Sequence, residues 1–253
     1  MCAGIAIFIS KGHCKMKVDR CRWHGLTACL LALCVVLLLG VAGSDTYAAQ
    51  GHGHGAAHGY YIWDEHDTRD PRSCLAAMSN AIEASDAAAF DKRVDIQGIA
   101  RTIFFELEKA SNDEQLSRWL PPVVTFMASQ GALTNSLTIG FLTGEVREFV
   151  LYGVGSGAFA GSMTREYESS SILAPLFSMV SMGRKEIREV GVPKRVDRGK
   201  MRLSFSVYDY DNGNTYAVQG IFSSVSDGWQ LTGIENVRDL IIQIGVESQE
   251  GMV

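Results

Sequence analysis

The sequence predicts an α+β domain, with N-terminal helices packed on a C-terminal antiparallel meander sheet, forming a single domain after a signal peptide. Three observations predict it. Ile96, Ile99, Ala100, Ile103, Phe104 and Leu107 recur at i, i+3, i+4, i+7, i+8 and i+11, the spacing of one buried helix face. Met201, Leu203, Phe205 and Val207 alternate with Arg202, Ser204, Ser206 and Tyr208, the spacing of a half-buried strand. Helical patterns come first and strand patterns afterwards, which argues against a doubly wound arrangement.

The chain opens with a presequence over residues 1–49. Residues 26–43, LTACLLALCVVLLLGVAG, carry no charge and follow Lys15, Lys17, Arg20 and Arg22. The run sits at the lower limit for spanning a bilayer and precedes the small-residue stretch SDTYAA, so it predicts a cleaved export signal rather than a retained anchor. Translation starts at Met1 or Met16, and cuts after Gly43 or Ala48 suit the signal at least as well as one after Ala49, which Tyr47 at the −3 position disfavours. Export places the mature chain in the periplasm or on the extracytoplasmic face of the membrane. Leu26, Thr27, Ala28 and Cys29 have the form of a lipidation box, but they begin the apolar run instead of following it, so no lipid anchor is expected.

Five of the six cysteines, Cys2, Cys14, Cys21, Cys29 and Cys34, fall in the presequence. Cys74 is left alone, so an internal disulfide is excluded and stability must come from an apolar core. Cys74 itself is read as a small buried apolar residue. Taking the five basic and two acidic residues of 1–49 from totals of 23 and 28 leaves 18 against 26, a net charge of −8 for residues 50–253. That balance argues against nucleic acid as a partner. Arg184, Lys185, Arg188, Lys194, Arg195, Arg198, Lys200 and Arg202 cluster, but Glu186, Glu189 and Asp197 interleave with them, which predicts a solvated edge.

Residues 50–70 form a His/Gly-rich linker, and residues 71–253 form the α+β domain. Asp70-Pro71 opens a first helix with Leu75, Met78, Ile82 and Ala89 on one face, and Ser85-Asp86 restarts it. Asp95 caps the next. Ser111 with Glu114 has the form of a capping box and predicts a third helix running to Trp119-Leu120, broken by Pro121-Pro122. Helix resumes at Pro122 and again over 132–152, with Leu133, Leu137, Phe141 and Val150 apolar, before GVGSGAFAG at 153–161 loosens the chain. The strand after Gly199 enters a tight hairpin at Asp211-Asn212-Gly213-Asn214. Residues 215–223 return, Asp227-Gly228 turns again, Trp229 leads a third strand, and Val237, Leu240, Ile241 and Ile244 predict a closing helix.

Ala81-Ile82, Asp86, Val94-Asp95-Ile96, Ile99-Ala100-Arg101 and the late Gly228-Trp229-Gln230-Leu231 resemble a family of bacterial envelope proteins of unknown function. The resemblance covers about half of the mature domain and departs from the family through a longer helical middle between Ser111 and Ser171. It implies N-terminal helices paired with a terminal sheet. The same pattern is similar to nuclear-transport-factor-2-like cones, which are scaffolds for pockets and imply no single activity.

Chemistry is sparse. No histidine follows His66, so a nucleophile paired with an imidazole base has no base within the domain. Gly155, Gly157 and Ala160 have the spacing of a dinucleotide fingerprint, but a helix pattern precedes them where a strand is required. Asp209, Asp211, Asn212 and Asn214 miss the calcium-loop spacing, and Asp64, Glu65, Asp67 and Asp70 fall in the linker. Two constellations remain. Tyr208, Tyr210, Tyr216 and Trp229 are candidates to line a ligand pocket on the open side of a curved sheet, against the reading of ordinary core aromatics. His52, His54, His58 and His66, in GHGHGAAHGYYIWDEH, are candidate ligands for Cu, Ni or Zn, against the reading of a simple tether. The leading expectation is non-catalytic binding of a small ligand or an envelope partner; metal binding comes second and a pocket enzyme third.

Overall fold

The computed structural model describes residues 70–120, 122–162 and 183–250. They form α1 (Arg72–Glu83), α2 (Ala87–Arg93), α3 (Ile96–Ser111), α4 (Pro122–Ser129), α5 (Ser136–Gly155), then β1 (Lys185–Arg188), β2 (Lys194–Asp197), β3 (Lys200–Asp209), β4 (Thr215–Val225), β5 (Gly228–Ile234) and the closing helix α6 (Val237–Glu250). This is the α+β order the sequence predicts.

Local side-chain chemistry sets the helix starts. The Asp70 carboxylate accepts from Arg72 N at 2.9 Å, Asp86 from Ala89 N at 2.9 Å, and Asp95 from Gly98 N at 2.9 Å. Asn135 accepts from Leu137 N and Thr138 N, both at 3.1 Å, and so opens α5. Each bond satisfies a backbone donor that a helix N-terminus leaves unpaired. The expected third helix over 111–120 does not form. Ser111 belongs to the end of α3, where its hydroxyl donates to Glu108 O at 2.7 Å. Asp113 then takes Gln115 N and Leu116 N into a turn, and one short 3-10 turn, Ser117–Trp119, completes the link. The aspartate two residues on outcompetes the serine because its carboxylate reaches two donors at once.

The sheet is antiparallel in the order β1-β3-β4-β5, with β2 also pairing β3. The meander β3-β4-β5 follows the two turns read from the sequence, with Gly213 at φ 74 completing the first. Alternation along β4 buries Tyr216, Val218 and Phe222 and leaves Thr215, Ala217 and Gln219 exposed. The buried side meets the α3 stripe and the Val146, Phe149 and Val150 face of α5 in one apolar core.

Both edges of this meander are closed by devices that pattern reading misses. β5 ends at Ile234 opposite Gly220, which leaves residues 215–219 of β4 without a strand partner on that side. The Asn236 amide fills in: Nδ2 donates to Ala217 O at 2.9 Å and Oδ1 accepts from Gln219 N at 2.8 Å, mimicking a strand before α6 begins. On the outer side of β5, Val94 forms a single parallel bridge with Leu231, and Asp95 N donates to Leu231 O at 2.9 Å. On the far side of β3, β1 and β2 line up as one broken edge strand. Gly191 N, donating to Ser204 O at 2.8 Å, holds the break against β3.

Cys74 is 2% exposed, and burial pushes its thiol up to about 12. At pH 8 its thiolate fraction is then about one part in 10⁴, against roughly a quarter for an ordinary cysteine. Iodoacetamide labelling of Cys74, followed by mass spectrometry, should therefore be slower by about three orders of magnitude in buffer than in denaturant; comparable rates would show the thiol to be open.

Candidate functional site

The expected aromatic pocket divides. Tyr208 and Tyr210 do come together, edge to face with ring centroids 4.9 Å apart. Tyr216 is 1% exposed on the core side of β4, its hydroxyl accepting from Asn212 Nδ2 at 2.8 Å. Trp229 packs against the core at the opposite end of the sheet, paired with Ser224, whereas Tyr208 pairs with Thr215 at the hairpin end. His52, His54, His58 and His66 lie outside the described residues. Among the described residues no three His, Cys, Asp or Glu side chains stand together where they could hold a metal ion.

Around Tyr208 the pairing of β1 with β3 builds a charged corner. The register Lys185↔Asp209, Glu186↔Tyr208, Ile187↔Val207 and Arg188↔Ser206 turns Lys185 inward and Glu186 and Arg188 outward. Inside, Lys185 Nζ donates to Asp209 Oδ1 at 2.8 Å and to Gly183 O at 3.2 Å, with both charged side chains fully buried. Asp211 N donates to the same Asp209 oxygen at 2.9 Å. Burial holds the lysine below its ordinary range, and Asp209 offsets part of that effect. Outside, the Arg188 guanidinium lies 3.9 Å from the Tyr208 ring centroid, and Arg188 and the Tyr210 hydroxyl both donate to Glu186 Oε2 at 2.6 Å. The Glu186 bond keeps the Tyr210 phenol protonated above its usual range. These groups answer one another across strands, so the corner works as a register clamp. Sequence reading placed all of its basic residues on a solvated edge; β2 is wholly exposed, but Lys185 is not.

A different place on the molecule forms a groove among the described residues. On α3 the core stripe leaves Arg101, Thr102 and Phe105 on the outward side, and the turn after α4 with the first turn of α5 contributes Leu133, Thr134, Ser136 and Ile139. Together they line a groove of about 590 Å³. Leu133 and Ile139 are buried and form its apolar floor, while Phe105 is 49% exposed at its wall. The Thr102 hydroxyl donates to Gly98 O at 3.1 Å and the Thr134 hydroxyl to Gly131 O at 3.0 Å, so both keep oxygen lone pairs for an incoming donor. The Arg101 guanidinium makes no hydrogen bond or ion pair among the described residues. Leu137, 84% exposed, and Phe141, 54% exposed, lie on the other side of α5 from Ile139 and do not line the groove. The groove was not read from the sequence. Its signal was present in α5, where Leu137 and Phe141 on one side and Ile139, Leu142 and Val146 on the other make the helix apolar all round.

The chain matches no protein-family model, no curated protein and no solved structure.

Proposed function

We propose that this chain is a non-catalytic binding protein of the cell envelope, and that it takes an apolar segment or small apolar ligand into the groove between α3 and α5. One observation carries this reading. Among the described residues the groove offers an apolar floor, hydroxyl acceptors and one guanidinium, and none of these described lining residues is a carboxylate or an imidazole. Its volume lies within the range of ordinary ligand sites, roughly 300–1,000 Å³. Half-exposed Phe105 at its wall is the kind of apolar surface that marks an interaction site.

Titration with the neutral apolar dye phenylnaphthylamine tests the reading. Saturable binding is expected, weakened about tenfold or more by Phe105→Glu, a change at a half-exposed position that should leave the unfolding midpoint nearly unaltered. Dye binding that ignores Phe105→Glu would sink the proposal.

A further inference from the structure

The groove's unanswered chemistry has a counterpart in the chain itself. Residues 60–63, Tyr-Tyr-Ile-Trp, are the one large apolar run in an otherwise Gly, His and acid-rich stretch before Asp70, and they lie outside the described residues. Side chains of this kind gain by leaving water for an apolar surface. Their polar tips are donors, the tyrosine hydroxyls and the indole N–H, which suit the free lone pairs of Thr102 and Thr134. Directly after them come Asp64 and Glu65, with Asp67 close behind, opposite in charge to Arg101.

From these observations we infer that residues 60–63 dock in the α3–α5 groove of their own chain, with Asp64 or Glu65 on Arg101, so that the segment competes with whatever the groove binds. The inference rests on the groove being a binding site. Trp63 is seven residues from Asp70, a span of up to roughly 23 Å when extended. Asp70 opens α1, whose first turn is tied to the last residue of α2 by Cys74 Sγ donating to Arg93 O at 3.5 Å, and Asp95, two residues on, caps α3. Arg101 lies about 7.5 Å farther along the α3 axis.

The test is phenylnaphthylamine affinity of the full chain against Trp63→Asp, with Phe105→Glu in each background. Docking predicts that Trp63→Asp binds the dye about tenfold more tightly than the unaltered chain, because the segment no longer competes. Arg101→Gln and the pair Asp64→Asn with Glu65→Gln should each give part of that rise, and Phe105→Glu should abolish binding in both backgrounds. Equal affinity of the unaltered chain and Trp63→Asp, with both abolished by Phe105→Glu, overturns the docking and leaves an open groove free for a partner. Failure of Trp63→Asp to bind dye at all overturns the groove as a site, and the docking with it.

Discussion

Replacing Asp209 with alanine is expected to lower the unfolding free energy by about 3–5 kcal/mol, because it strands a fully buried lysine without its carboxylate. The readout is the urea midpoint by circular dichroism, with the slope unchanged. Lys185→Met combined with Asp209→Leu should recover most of the loss, since two apolar side chains of similar size need neither desolvation nor pairing. A single-mutant cost under about 1 kcal/mol would mean that water reaches the lysine.

The same variant carries a pH signature with a definite sign. Burial depresses the Lys185 value below its ordinary 10.5, so the unfolded chain holds this proton more tightly than the folded one does. Its contribution is then complete above 10.5 and is lost as pH falls through the folded value, and between the two stability rises with pH. Asp209→Ala removes the attraction that supports the folded value, which widens that interval. The deficit of Asp209→Ala relative to the unaltered protein is therefore expected to shrink as pH is raised toward 10.5, and a deficit that grows would contradict the assignment.

Why this pair escaped sequence reading is instructive. The KEIR of β1 carries a charge at three of its four positions, so no hydropathy alternation announces a strand; only the register with β3 turns Lys185 inward and Arg188 outward. The meander was legible because its turns, Asp-Asn-Gly-Asn and Asp-Gly, demand backbone shapes few other residues accept. Caps at Asp86, Asp95 and the α3 stripe were legible for the same local reason. The edge closure by Asn236 depends on what lies across the fold, and local pattern carries no trace of that. Ser111 and Glu114 show the limit from the other direction, as a capping pattern present in sequence that lost to Asp113 once the chain end of α3 was fixed.

The glycine-rich GVGSGAFAG stretch gives the second large effect, at Gly153 and not at Gly155, Gly157 and Ala160, whose spacing resembles a dinucleotide fingerprint. α5 runs through Gly153 to Gly155, and the chain then folds back so that Phe159, fully buried, lies against the helix where a side chain at Gly153 would stand. Phe159 N donates to Gly153 O at 3.2 Å, fixing the return. Gly153→Ala is expected to cost about 1–3 kcal/mol through overlap with the ring, although alanine favours a helix interior by about 1 kcal/mol over glycine. Phe159→Ala should cost about 3–5 kcal/mol as a core truncation. In that background the sign of the glycine substitution reverses: with the ring gone, Gly153→Ala should stabilise by up to about 1 kcal/mol, a coupling that a double-mutant cycle in urea measures directly. Stabilisation by Gly153→Ala alone would mean that the ring does not fold against α5, and the glycines would then need another explanation.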